Sequence, residues 1–187
     1  MPNQRIEKAS FDYLLELGKE FEGACFVGCD FQNCNLAGFC FEDCEFENCN
    51  LSLIKIKNTK IRGNKFKSCK MVGVDWSVFE VGLSFGNSFE NCVLDMSNFT
   101  GLNISHFEAY KSSFNEVWFN EANLSESVLK ECDFEGAYFN NSNLYKADLR
   151  SSYGYMINPQ FNKISKAKFS LPEAVSLLSG FDISLEW

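Results

Sequence analysis

The sequence predicts an all-β coil that turns a corner every five residues, and three observations predict it. From Phe21 every fifth residue is large and apolar: Phe21, Phe26, Phe31, Leu36, Phe41, Phe46, Leu51, Ile56, Ile61, Phe66, Met71 and Trp76. A second run, three residues out of phase, continues through Phe89, Leu94, Phe99, Ile104, Ala109, Phe114, Phe119, Leu124, Leu129, Phe134, Phe139, Leu144 and Leu149, and its phase returns at Ile164 and Phe169. Two positions before most of these stands a small residue, such as Cys29, Cys49, Cys69, Cys92, Ala122, Ser127 or Ala147.

Neither regular element can carry this pattern. Five residues advance an α-helix by about 500°, so the apolar position would drift about 140° per repeat and form no stripe. In a straight strand an odd period sends successive apolar residues to opposite faces. The chain must therefore turn once per repeat, with the large residue and its small partner pointing inward. Spacings of twenty favour four sides. They stack Phe26, Phe46 and Phe66 in one core column, Phe99, Phe119 and Phe139 in another, and Cys29, Cys49 and Cys69 in a third, with coils about 4.7 to 4.9 Å apart.

Taken in order, residues 1–20 form an N-terminal cap, in which Phe11 to Leu17 reads either as an irregular first coil or as a short helix. The first coil segment covers 21–78. Phe39 occupies a small slot with no visible compensation, which predicts a local distortion over Phe39 to Phe41, and Asn64, also inward, needs its amide bonded to backbone. Residues 79–88 interrupt the repeat, because thirteen residues separate Trp76 from Phe89. Val78, Phe79, Val81, Leu83 and Phe85 make this stretch more apolar than a solvated loop; they either pack back on the coil or present an exposed contact to a partner. The second segment covers 89–169, where Phe107 in a small slot and Ala109 in a large one amount to a volume swap. In the terminal unit, 170–187, Ser170-Leu171-Pro172-Glu173 reads as a capping box, Gly180 as a stop, and 171–179 as a helix. The alternation of Phe181, Ile183, Leu185 and Trp187 predicts a short strand after it.

Units such as Cys29-Asp30-Phe31, Cys49-Asn50-Leu51, Ala122-Asn123-Leu124, Cys132-Asp133-Phe134 and Ala147-Asp148-Leu149 resemble the motif of the pentapeptide-repeat proteins over roughly residues 21 to 169. The resemblance implies a right-handed quadrilateral β-helix, a rod of duplex girth, and a homodimer formed through the C-terminal end, for which Val175, Leu177, Leu178 and Phe181 are the candidate interface. A monomeric cap is the alternative use of the same residues. The chain looks most like the quinolone-resistance and microcin-immunity branch, which implies a DNA-mimicking protein that engages DNA gyrase or topoisomerase IV and protects it from poisons.

Composition narrows the function classes. The 187 residues hold 25 acids and 17 bases, a net charge of −8, which gives no global reason to bind nucleic acid or an anionic membrane. No stretch approaches the roughly 18 apolar residues of a membrane helix, and the first ten residues lack an export signal, so a cytoplasmic protein with reduced thiols is expected. Seven of the nine Cys fall in the small inward slot, leaving Cys25 and Cys40 outward. Their spacing follows the repeat rather than the paired Cys-x2-Cys of a zinc site. With His106 as the single His, read as a corner residue, and no glycine-rich phosphate loop, neither enzyme nor cofactor is expected.

Charge is distributed unevenly. Asp12 to Glu47 carries nine acids and one base; Glu90 to Glu135 carries nine acids and two bases; between them Lys55, Lys57, Lys60, Arg62, Lys65, Lys67 and Lys70 form a run without acids. This basic belt either offsets repulsion from the acidic lengths or docks an acidic partner. Lys57, Arg62 and Lys67, with Val78, Phe79, Val81 and Phe85, are the candidate partner-binding residues. A general protein-protein interaction scaffold is the competing reading to topoisomerase binding. Direct nucleic-acid binding is not expected, since the flanking acids repel phosphates and no aromatics interleave with the bases.

Overall fold

The computed structural model describes residues 4–78, 85–181 and 183. Its strands are three residues long and all parallel. β1 (Arg5–Glu7), β3 (Cys25–Val27), β5 (Glu45–Glu47), β7 (Lys65–Lys67), β8 (Ser88–Glu90), β9 (Glu108–Tyr110) and β10 (Val128–Lys130) form a seven-stranded sheet in the order β1-β3-β5-β7-β8-β9-β10. On a neighbouring side β2 (Glu20–Glu22), β4 (Cys40–Glu42) and β6 (Lys60–Arg62) form a three-stranded sheet. The other two sides are joined by single bridges such as Asp30↔Asn50 and Asn98↔Trp118. Register advances by twenty residues from coil to coil, as in Phe26↔Phe46 and Phe46↔Phe66. Five residues per side and four sides per coil follow.

Each position of the five-residue unit answers a separate physical demand. The large residue fills the interior. Phe26, Phe46, Phe66 and Phe89 stack with centroids 4.7, 5.0 and 5.1 Å apart, and Trp76, Phe99, Phe119 and Phe139 stack at 5.7, 5.3 and 5.1 Å. The small residue must fit beside this column and, in most slots, donate a hydrogen bond to the carbonyl of the large residue one coil earlier. Cys49 donates to Phe26 O at 3.4 Å, Cys69 to Phe46 O at 3.3 Å, Ser142 to Phe119 O at 2.8 Å and Thr59 to Leu36 O at 2.7 Å. Asn64 does this with its amide, donating Nδ2 to Phe41 O at 3.0 Å while its Oδ1 accepts from Cys44 N–H at 2.8 Å. The amide thus finds the backbone partners its burial requires.

Between small and large residues stands an outward Asp or Asn whose side chain accepts from the N–H two residues on, as Asp30 does from Gln32, Asn123 from Ser125 and Asn143 from Tyr145. These Asx-turns set the bend that follows. The corner residue itself adopts positive φ, as at Asn33, Asn48, His106 and Glu121. His106 is therefore a corner, as its place in the repeat predicts.

The interruption costs the stack little. Register passes from Lys65, Phe66 and Lys67 to Ser88, Phe89 and Glu90, a step of twenty-three, and bridges continue at Lys70↔Val93 and Asp75↔Asn98. Phe85 is 4% exposed, its ring 5.5 Å from Trp76 and 5.9 Å from Phe107. It is a core residue, which corrects its assignment to a partner contact: the interior offers an aromatic box that water cannot. Phe79, Val81 and Leu83 lie outside the described residues. Phe107 is buried against Phe89 and Phe99 beside buried Ala109, as the volume swap requires.

Three further expectations are settled or revised. Phe11–Leu17 is an α-helix, α1, whose first turn is capped by Ser10 Oγ accepting from Tyr13 N–H at 3.4 Å, with Leu14 buried beneath it. The chain is not distorted at Phe39, for β4 follows in register with β6 and Lys60 N–H donates to Phe39 O at 2.9 Å. The ring fits because α1 supplies Phe11 at 6.0 Å and Phe41 stacks on it at 5.8 Å. At the other end the expected short helix is present as a 3-10 helix over Glu173–Gly180, and it has no side-chain cap. Ser170 Oγ is taken by Ser151 N–H at 3.1 Å, so the capping box does not close. Of the predicted final strand, Phe181 and Ile183 are described and carry no strand pairing.

Phe46 has a ring above and a ring below it, so Phe46→Ala should cost about 3 to 5 kcal/mol in urea unfolding; a loss under about 1 kcal/mol would contradict its place in the column. Asn64→Leu keeps the volume but strands the Cys44 N–H and Phe41 carbonyl, and should cost about 1 to 3 kcal/mol for each group left unpaired.

Candidate functional site

With the interior filled, whatever the protein recognises must meet the outward rows. Residues 55–70 make one full turn: Lys55 and Lys57 on one side, Lys60 and Arg62 in β6, Lys65 and Lys67 in β7, then Lys70. Register sets β6 and β7 directly against the acids one coil earlier, Arg62 against Glu42, Lys65 against Glu45 and Lys67 against Glu47. Arg62 pairs with Glu42 at 3.3 Å and the Lys67 ammonium with Glu45. The hydrogen bond from Glu45, then its charge, raises the Lys67 pKa above the ordinary lysine value. Such exposed pairs add little stability, but they neutralise part of the belt internally. Lys57 forms no ion pair among the described residues, and Val78 is exposed at the end of the 3-10 turn Trp76–Val78 one coil on.

The second acidic length has an arrangement that charge counting alone does not show. Glu116, Glu121, Glu126 and Glu131 occupy four consecutive corners, each with positive φ. One coil therefore carries a carboxylate at every corner. Glu126 meets Lys146 at 3.2 Å, and Glu131 accepts from Tyr110 Oη at 2.6 Å with Lys111 at 3.8 Å. Glu116 and Glu121 form no ion pair among the described residues.

A second basic coil follows, which the sequence reading passed over. From Lys146 to Ser170 there are five bases, Lys146, Arg150, Lys163, Lys166 and Lys168, against Asp148 alone; extending the charge count past Glu135 finds it. Asp148 is its anchor. Arg150 grips both carboxylate oxygens at 2.9 and 2.7 Å, and Lys130 approaches to 3.5 Å. The Arg150 hydrogen bonds, outweighing burial, hold Asp148 at about 2 against an ordinary 3.8.

At the C-terminal end Leu177 packs against the core, Val175 is half-buried, and Leu178 and Phe181 are exposed. Among the described residues no cluster of three or more His, Cys, Asp or Glu could hold a metal ion, and no helix is long and apolar enough to cross a membrane. The thiols fill the core; burial pushes Cys44 up to about 11 and Cys132 to about 12. Cys34 is only partly buried, because its slot lies near the capped end.

The pentapeptide-repeat family model matches in eight copies, over residues 20–52 and 119–152. Residues 20–52 and 119–152 are pentapeptide repeats. Two solved structures of QnrB1, described as a plasmid-mediated fluoroquinolone resistance protein, share its fold. A trypsin-treated variant is 20% identical, with 100% of this chain and 91% of that one covered and a TM-score of 0.76. The full-length protein is 18% identical, with 98% and 99% covered and a TM-score of 0.63. No curated protein matches the sequence.

The Asp148 anchor gives a pH test. A depressed folded pKa contributes stability above about pH 4 that is lost as pH falls through about 2. Arg150→Ala should lower stability at pH 7, and the gap from wild type, followed by chemical denaturation, should narrow from pH 4 downward and close below pH 2.

Proposed function

We propose that this protein is a non-enzymatic, cytoplasmic DNA mimic that binds a type II topoisomerase, DNA gyrase or topoisomerase IV, and protects it from quinolones. The fold it shares with QnrB1 along its whole length supports the reading, and the observation that carries it is linear charge density. Residues 90–135 hold nine acids against two bases. At about 4.8 Å per coil they occupy roughly 11 Å of axis, close to one net negative charge per 1.6 Å, against about 1.7 Å for duplex DNA. Four corner glutamates spread that charge around the rod, so a basic channel shaped for DNA would meet carboxylates on every side. The basic run Lys55 to Lys70 separates this band from the other acidic length, Asp12 to Glu47.

The C-terminal end, with Leu178 and Phe181 exposed beside Val175 and Leu177, is the proposed homodimer interface. A scaffold role for an unrelated partner is the second reading, favoured by Lys57, which has no ion pair among the described residues, and exposed Val78 on the adjoining coil.

The purified protein should restore supercoiling by DNA gyrase, or decatenation by topoisomerase IV, when either is poisoned with a fluoroquinolone, at near-stoichiometric ratios. Glu121→Lys with Glu126→Lys should weaken rescue at least tenfold while leaving the fold intact, since Lys111 and Lys146 already occupy corners with positive φ. No rescue at excess would sink the reading.

A further inference from the structure

We propose that one edge of the rod, between the side that begins at Lys70 and the side that carries Trp118, docks an amphipathic segment of a protein partner, with a basic residue of that segment set against Glu116. Along this edge stand Leu53, Met96, Trp118 and Tyr138, each between 43% and 53% exposed. Register brings them together. Corner N–H groups bond across to the next coil at Leu53, Gly73, Met96 and Glu116 in turn, and Asn98↔Trp118 and Trp118↔Tyr138 bridge in the row beside them. Trp118 and Tyr138 stack with centroids 6.2 Å apart and planes within 16°.

The edge is built rather than merely uncovered. Gly73 and Gly136 sit at corners with φ of 68°. A Cβ on Gly73 would lie 2.7 Å from Leu53 Cδ2, and one on Gly136 would lie 3.3 Å from Glu116 Cγ. The bare corners thus seat Leu53 and Glu116 along the edge, where the apolar strip also carries the Glu116 and Glu135 carboxylates. From Leu53 to Tyr138 the strip spans four coil steps, about 19 Å, the length of about thirteen helical residues.

Its chemistry specifies the occupant. Methionine and aromatic side chains are the residues enriched at protein interfaces and adapt to apolar partners. Glu116 and Glu135 are exposed and form no ion pair among the described residues, so an apolar segment bearing Arg or Lys satisfies a carboxylate that an apolar one would desolvate. The same cation can lie over the Trp118 ring. A membrane or a nucleic acid would meet carboxylates here and be repelled. The proposal does not rest on the topoisomerase reading.

The probe is a displayed library of random sixteen-residue peptides, panned on the full chain and counter-selected on a Glu116→Lys, Trp118→Ala double variant. Recovered peptides should carry apolar residues three and four apart with at least one Arg or Lys. In a Trp187→Phe background they should shift the fluorescence of the exposed Trp118, Trp76 being buried. Glu116→Lys and Trp118→Ala should each weaken binding at least tenfold, whereas Glu121→Lys, on the neighbouring edge, should leave it unchanged. The inference is overturned if nothing is enriched over the counter-selection, or if enriched peptides bind both variants like wild type. A wild-type dimer that Trp118→Ala dissolves in sedimentation would overturn it too, since the occupant is then a second copy.

Discussion

Parallel backbone hydrogen bonding between residues twenty apart fixes the distance from one coil to the next, and the rest of the structure has to live with that distance. Ring centroids in the interior columns fall at 4.7 to 5.7 Å, close to the roughly 4.8 Å strand repeat. A flat ring tolerates that spacing by stacking, which is why Phe recurs where a branched aliphatic would leave space. The small slot is constrained by the same repeat. It must accept a side chain and also bring a donor within reach of the carbonyl one coil back, as Cys92 does to Phe66 O at 3.3 Å and Ser152 to Leu129 O at 2.7 Å. Cys, Ser, Thr and Asn meet both demands. The unusual number of cysteines is a consequence of backbone geometry rather than of thiol chemistry.

Because the constraint is periodic, it is legible in sequence. The five-residue period, the twenty-residue columns, the corner position of His106 and the backbone-bonded Asn64 all follow from counting along the chain. What counting misses is local supply of space or partners. Phe39 reads as an overpacked slot because its neighbours in the repeat are large, yet α1, from outside the repeat, opens the space it uses. Phe85 falls in the interruption, where the repeat assigns it no slot and both an inward and an outward place are open, and only the fold shows the rings of Trp76, Phe89, Phe99 and Phe107 around it. The C-terminal capping box fails for a related reason: its Ser hydroxyl is claimed by Ser151, nineteen residues away, a competition invisible in a four-residue motif.

Charge obeys the repeat too, which turns a modest net charge into bands. Each coil compresses twenty residues into about 4.8 Å of length, so a run of acids unremarkable along the chain becomes dense along the axis. The same compression brings bands of opposite sign within one coil of each other, and the pairs Arg62–Glu42, Lys67–Glu45 and Lys146–Glu126 mark the boundaries. At a Debye length of about 8 Å, a partner reads bands individually. The total of −8 averages over what it would meet.

A ring of corner carboxylates has an orientation problem of its own. Glutamates at all four corners look nearly alike from each side, so the band attracts a basic partner without saying which side should face it. Long-range attraction of this kind raises the encounter rate more than it fixes a pose. The apolar edge breaks that symmetry, because Met96 at one corner and Trp118 and Tyr138 in the row beside it mark out one edge of the rod. The interior period gives the rod its four-fold sameness; two glycine corners and a pair of stacked rings give it a front.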